Sequence, residues 1–264
     1  MVSSFARYNF DFIQSYCEPS FSIEKFQSKK SKIKLYCIRL PELPTIKVEL
    51  CVQTKPYDDT GVAHTLEHLI FMGSKNYPQQ GILDYISSYL YCTGTNASTY
   101  RDMTNYELST IDKYSILKLL PIYLDHIFNP LLTNDCYLTE IHHINNEGHD
   151  SGVVYSEMQS CEQQADEILE QKLMSELWSK TSHYHYNYGG KLESIRTSLS
   201  LDKIKSFHKM FYTPKNVAII VSGNIEPDDI MNVIYEFEQQ NEKRITINST
   251  IHASNNMQHK RKKR

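Results

Sequence analysis

Gly61-Val-Ala-His64-Thr-Leu-Glu67-His68-Leu-Ile-Phe-Met-Gly73 is the most informative stretch in the 264 residues. It has the period of a helix and a glycine at each end. At about 100° per residue, with His64 set to zero, Glu67 falls near 300° and His68 near 40°, whereas Val62, Ala63, Leu66, Leu69 and Ile70 gather between roughly 140° and 260°. The ionisable groups share one face and the aliphatic groups the other. A surface helix also has a polar face, but two imidazoles one turn apart beside a carboxylate are what a divalent zinc ion takes from a helix. Neutral imidazoles at i and i+4 both reach one ion, and a carboxylate at i+3 is placed to take a proton from water.

Working outward, residues 34–39 and 46–52 read as strands separated by Pro41 and Pro44, a candidate hairpin. Residues 94–100 and 105–110 form a second strand pair about Arg101-Asp102. Helices are expected over 61–71, 81–90, 113–128, 133–144, 152–178, 201–211 and 228–237, with a buried strand at 216–221 and a loop at 181–190. This order predicts an α+β, two-layer domain in which helices cover a mostly antiparallel sheet. Residues 1–30 read as a polar, irregular N-terminal extension, 31–240 as the zinc-binding domain, and 241–264 as a polar tail ending in Lys260-Arg-Lys-Lys-Arg264.

Composition narrows the function classes. The chain is 40% hydrophobic and 22% charged, which excludes collagen-like, coiled-coil and wholly disordered chains. With 28 Lys+Arg against 31 Asp+Glu, a net charge of -3, nucleic acid is a poor partner, and the basic end reads as a solvated tail. No apolar run approaches the ~18 residues of a membrane span. The six cysteines include no C-x-x-C pair and read as reduced apolar fillers. The start of the chain resembles neither a secretory signal nor a transit peptide, which points to a cytoplasmic address rather than a mitochondrial or nuclear one.

A zinc site that keeps one position for water takes three protein ligands. Downstream of His68 the candidates are Glu140, His142, His143, Glu147, His149, Asp150 and Glu157. Glu157 lies at the margin of the apolar stripe Val154, Met158, Cys161, Ala165 and Ile168, where an unpaired carboxylate is costly. His142, His143 and His149 read as exposed.

His64-x-x-Glu67-His68 is the inverted zinc motif, and its surroundings resemble the pitrilysin/insulinase metallopeptidases. Three further segments agree in order: Gly94-Thr-Asn96-Ala97-Ser98-Thr-Tyr with Thr104-Asn-Tyr106, Gly152-Val-Val-Tyr-Ser-Glu157-Met, and Val221-Ser-Gly-Asn-Ile225. The wording around Glu157 is most similar to the presequence-protease-like branch and its cytosolic relatives. The resemblance implies one Zn2+ held by His64, His68 and Glu157, with Glu67 as the proton acceptor in peptide-bond hydrolysis. It also implies a short unfolded peptide lying as a strand along Asn96, Ala97 and Ser98. Asp150 matches the place of an acid that orients a ligand, or is simply a helix N-terminal acid. The family implies a further domain or subunit to complete a chamber; the alternatives are a zinc- and peptide-binding subunit without turnover, or a fragment.

Overall fold

The computed structural model describes residues 4–242. In chain order the elements are α1 (Ser4–Arg7), β1 (Phe10–Cys17), β2 (Ser22–Ser28), β3 (Lys34–Arg39), β4 (Ile46–Gln53), α2 (Val62–Ile70), α3 (Ile82–Tyr89), β5 (Asn96–Thr99), β6 (Met103–Thr110), α4 (Lys113–Phe128), α5 (Asn134–Glu140), β7 (His143–Ile144), β8 (Asp150–Ser151), α6 (Val153–Cys161), α7 (Ala165–Leu177), α8 (Leu192–Thr197), α9 (Leu201–Phe211), β9 (Val217–Gly223) and α10 (Pro227–Gln240). Seven strands form one sheet in the order β1-β2-β3-β9-β4-β6-β5. Every pairing is antiparallel except β3 with β9.

Alternation along the strands makes one face of this sheet the floor of the core. In β4, Ile46, Val48, Leu50 and Val52 are buried while the residues between them are not; in β9 the same holds for Val217, Ile219 and Val221. Register then aligns one row across the sheet: Phe26, Leu35, Ile219, Leu50, Tyr106 and Ala97. Helices α2 and α4 pack on this face. Tyr106, fully buried, shares a 2.7 Å hydrogen bond with the Tyr212 hydroxyl just after α9, so its polar end is satisfied inside the core.

Four expectations are corrected. Residues 34–39 and 46–52 are not a hairpin, because β9 lies between β3 and β4 and pairs with both. The segment 1–30 is not an irregular extension, because β1 and β2 continue the sheet outward from β3. Seven of the eight residues of β1 are exposed, so alternation is absent from its sequence and the strand could not be read. The helix expected over 152–178 is broken into α6 and α7 at residues 162–164, where Gln164 is extended. No Gly or Pro marks the break, although Asp166 and Glu167 in the first turn of α7 suit a helix start. The helix expected over 133–144 ends at Glu140, and α8 was not foreseen. The tail expected over 241–264 lies, beyond Glu242, outside the described residues.

Since β9 is shared by both halves of the sheet, Ile219→Ala should cost about 2–5 kcal/mol. Ile220→Ala, on the half-buried face, should cost clearly less. Urea unfolding checks both, and equal losses would contradict the assignment of the buried face.

Candidate metal centre

Two helices deliver the site, and each begins at a glycine that only glycine can occupy. Gly61, before α2, has φ +63°, and a Cβ there would meet the Gly189 carbonyl oxygen at 2.3 Å. Gly152, before α6, has φ +134°, and a Cβ would lie 2.3 Å from the Ile141 carbonyl oxygen. Both close approaches exclude side chains and so set where each helix starts.

α2 is buried on both faces. Its aliphatic side enters the core, and His64 and Glu67 on the other side are buried as well. Glu157 of α6 faces them: its Oε1 lies 3.5 Å from His64 Nε2 and its Oε2 lies 3.3 Å from His68 Nε2. One ligand atom from each of these three residues falls within 4.8 Å of the others. The opposite nitrogens are used elsewhere. His64 Nδ1–H donates to the Gly189 carbonyl at 3.2 Å, and His68 Nδ1–H donates to Glu140 Oε1 at 3.0 Å. Both rings are thereby turned so that Nε2 points at the shared centre, the support that metal-binding histidines ordinarily receive.

Glu67 stands beside this group without joining it. Its Oε2 accepts a hydrogen bond from the Thr99 hydroxyl of β5. Ala97, Ser98 and Thr99 of the edge strand line a cavity of about 280 Å3 together with His64, Glu67, His68 and Glu157. Asn96 and Ala97 border a neighbouring cavity of about 370 Å3 on the other side of Glu67 and His68.

In the metal-free group the imidazoles and carboxylates pair with one another. Burial draws His68 toward its neutral form, but Glu140 and Glu157, one on each ring nitrogen, hold its proton up to about 9. Hydrogen bonds from His64 and His68 hold the Glu157 carboxyl well below the usual carboxylate range. Two imidazoles and one carboxylate converging beside a cavity form a group that could hold a metal ion.

Residues 47–186, which contain this whole group, match the family described as insulinase (peptidase family M16). The chain belongs to that family. Residues 198–261 match the family described as peptidase M16 inactive domain, and none of His64, Glu67, His68 or Glu157 lies there. The chain is 38% identical over 215 residues to an uncharacterized protein of Caenorhabditis elegans, covering 81% of this chain and 22% of that one. It is 30% identical over 193 residues to presequence protease 1, chloroplastic/mitochondrial, of Arabidopsis thaliana, covering 70% and 18%. It thus spans about a fifth of the length of these relatives. Among solved structures, pitrilysin superposes with a TM-score of 0.68 at 19% identity, covering 86% of this chain and 24% of pitrilysin. A protease from Helicobacter pylori superposes with 0.67 at 22% identity, covering 81% and 49%. These likenesses show the pitrilysin-like α+β fold.

The structure thus brings His64, Glu67, His68 and Glu157 together and places Ala97 and Ser98 on their cavity. Asp150 is corrected: its carboxylate binds His142 Nε2 at 2.7 Å and Arg196 at 3.0 Å, and it orients no member of the site. That work falls to Glu140, which the sequence offered only as one possible ligand. His142 is not exposed as expected, since it is half-buried against Asp150 and Tyr155, and neither it, His143 nor His149 is in the metal group. The Gly189 carbonyl and Thr99 were not foreseen; a main-chain oxygen leaves no mark in a sequence.

The raised His68 value has a definite sign. In the metal-free chain its proton contributes stability that is fully present below the ordinary imidazole value of 6.5 and is lost as pH rises through about 9. The urea midpoint should therefore fall between about pH 6 and about pH 10, and Glu140→Gln should flatten that fall. A midpoint equally steep in the variant would separate Glu140 from the His68 proton.

Proposed function

We propose that this chain carries the zinc-binding part of a metalloendopeptidase that hydrolyses short, unfolded peptides. The observation that carries this reading is the convergence of His64 Nε2, His68 Nε2 and the Glu157 carboxylate, with the Glu67 carboxylate alongside. The donor set suits zinc, with nitrogen and oxygen ligands and an open side toward the cavity. A zinc ion held there supplies acidity to water and polarisation to a carbonyl.

The remaining chemistry belongs to the chain. Glu67 Oε1 accepts no hydrogen bond among the described residues, while the Thr99 hydroxyl holds Oε2. Oε1 is accordingly the atom that takes a proton from the attacking water and passes it to the departing amine nitrogen. Low exposure, 8% for Glu67, keeps bulk water from competing for that proton. Among the described residues β5 pairs with β6 on one side only, as the outermost strand. Its other edge can take an extended peptide by main-chain hydrogen bonds, which bind with little regard to sequence and require the peptide to be unfolded. Asn96, Ala97 and Ser98 would then run beside the substrate, the small Ala97 leaving space next to the reacting carbonyl.

A second reading rests on the partial span and on the match of residues 198–261 to the inactive-domain family. In it the chain binds zinc and peptide, and turnover needs a further domain or subunit. Metal analysis with a quenched-peptide assay separates the two. One zinc per chain with cleavage supports the first reading, and one zinc without cleavage supports the second. Absence of stoichiometric zinc overturns both. Where cleavage is present, Glu67→Gln should lower turnover by about 10²–10⁴-fold with zinc content unchanged. Wild-type turnover in that variant would remove Glu67 from the reaction.

A further inference from the structure

The segment that presents the Gly189 carbonyl to His64 is itself held by one buried cation. Arg101 lies in the turn between β5 and β6, and its side chain is only 8% exposed. Its Nη1 donates to the main-chain carbonyls of Tyr184, at 3.3 Å, and Tyr186, at 2.5 Å. Its Nη2 donates to Glu170 of α7 at 2.9 Å, and the guanidinium lies 5.2 Å from the centre of the Tyr188 ring. A planar, forked donor can serve all these partners at once; a lysine ammonium cannot.

From Tyr186 the connection to the metal group is continuous. Asn187 N–H donates to Asp59 at 2.8 Å, and Asn187 Oδ1 accepts the N–H groups of Gly189 and Gly190 at 3.0 and 3.1 Å. Gly189 then accepts from His64 Nδ1. Asp59 and Asn187 fix the far end of this strap. Its near end, residues 184–186, otherwise touches the segment around Trp178 and Lys180, α7, and the exposed carboxylate of Asp102. α7 has no buried residue of its own and cannot serve as a firm anchor. Arg101 is the buried link from the strap and α7 to the sheet.

We propose that Arg101 is a positioning residue for His64: by holding the carbonyls of Tyr184 and Tyr186, it keeps the Gly189 carbonyl on His64 Nδ1–H and so keeps His64 Nε2 aimed at Glu157. It also sets the Tyr188 ring as a wall of the same cavity. His68 is outside this path, because its Nδ1–H is held by Glu140 from α5. The consequence for metal binding rests on the zinc reading above, whereas the consequence for the His64 ring does not.

The test uses the whole chain and the variants Arg101→Met and Arg101→Lys. In the metal-free protein, exchange of the His64 Nδ1–H proton with water, followed by nitrogen-edited NMR, should quicken by about tenfold or more in Arg101→Met, while the His68 Nδ1–H is unchanged. Arg101→Lys should fall between. Zinc affinity, from competition with a chromophoric chelator, should weaken by about 10–100-fold in Arg101→Met, as for loss of other groups that orient a ligand. Equal quickening at His64 and His68 would mean general loosening and would overturn the proposal, as would no change at either. If Arg101→Met does not fold, the His64 and His68 comparison in Arg101→Lys decides. A wild-type chain that takes up no zinc removes the metal reading and leaves the ring comparison intact.

Discussion

The contact between Gly61 and the main chain at Gly189 and Gly190 is the constraint on which the site depends. A Cβ on Gly61 would fall within 2.3–2.7 Å of three main-chain atoms there, so two stretches of backbone meet with nothing between them. One stretch begins the helix that carries His64, Glu67 and His68. The other places its carbonyl where the His64 ring must donate. The same contact that starts the helix also orients the His64 ring.

Around that point the chain gives every nitrogen of the two imidazoles one task. Each Nδ1–H has an acceptor away from the centre, a main-chain carbonyl for His64 and a carboxylate for His68. The two supports differ in kind. A carbonyl fixes direction with a partial charge, whereas Glu140 adds a full negative charge and makes the His68 ring more basic. Glu67 has no imidazole partner, and its Thr99 hydrogen bond comes from the edge strand. The carboxylate is thus tied to the side on which an extended chain would lie.

The central motif was legible because its chemistry and its helix period coincide within five residues. Glu157 was legible as a carboxylate at the edge of an apolar stripe, even though the helix proved shorter than its pattern. Beyond these, contacts made by main-chain atoms or by single side chains far apart in sequence left little trace. Glu140 was visible only as one acid among several, and Asp150 was the wrong one because its pairing with His142 and Arg196 is a matter of loop geometry. Strand order was least legible. The hairpin of β3 and β4 satisfied every local rule, and nothing within that segment reveals that β9, from far along the chain, pairs with both and separates them. The exposed β1 shows the converse, a strand that pairs through its backbone without the side-chain alternation that announces one.

The position of β9 also orders events in time. Among the described residues it is the last strand in sequence and lies between two earlier ones, so β3 and β4 wait for Gly223 before either has its second neighbour. Such long-range closure is slow compared with helix formation. Helices α2 and α6, which carry His64, Glu67, His68 and Glu157, precede in the chain the strand that completes the sheet. Until β9 is in place, the sheet on which the helix carrying His64, Glu67 and His68 packs lacks its central strand.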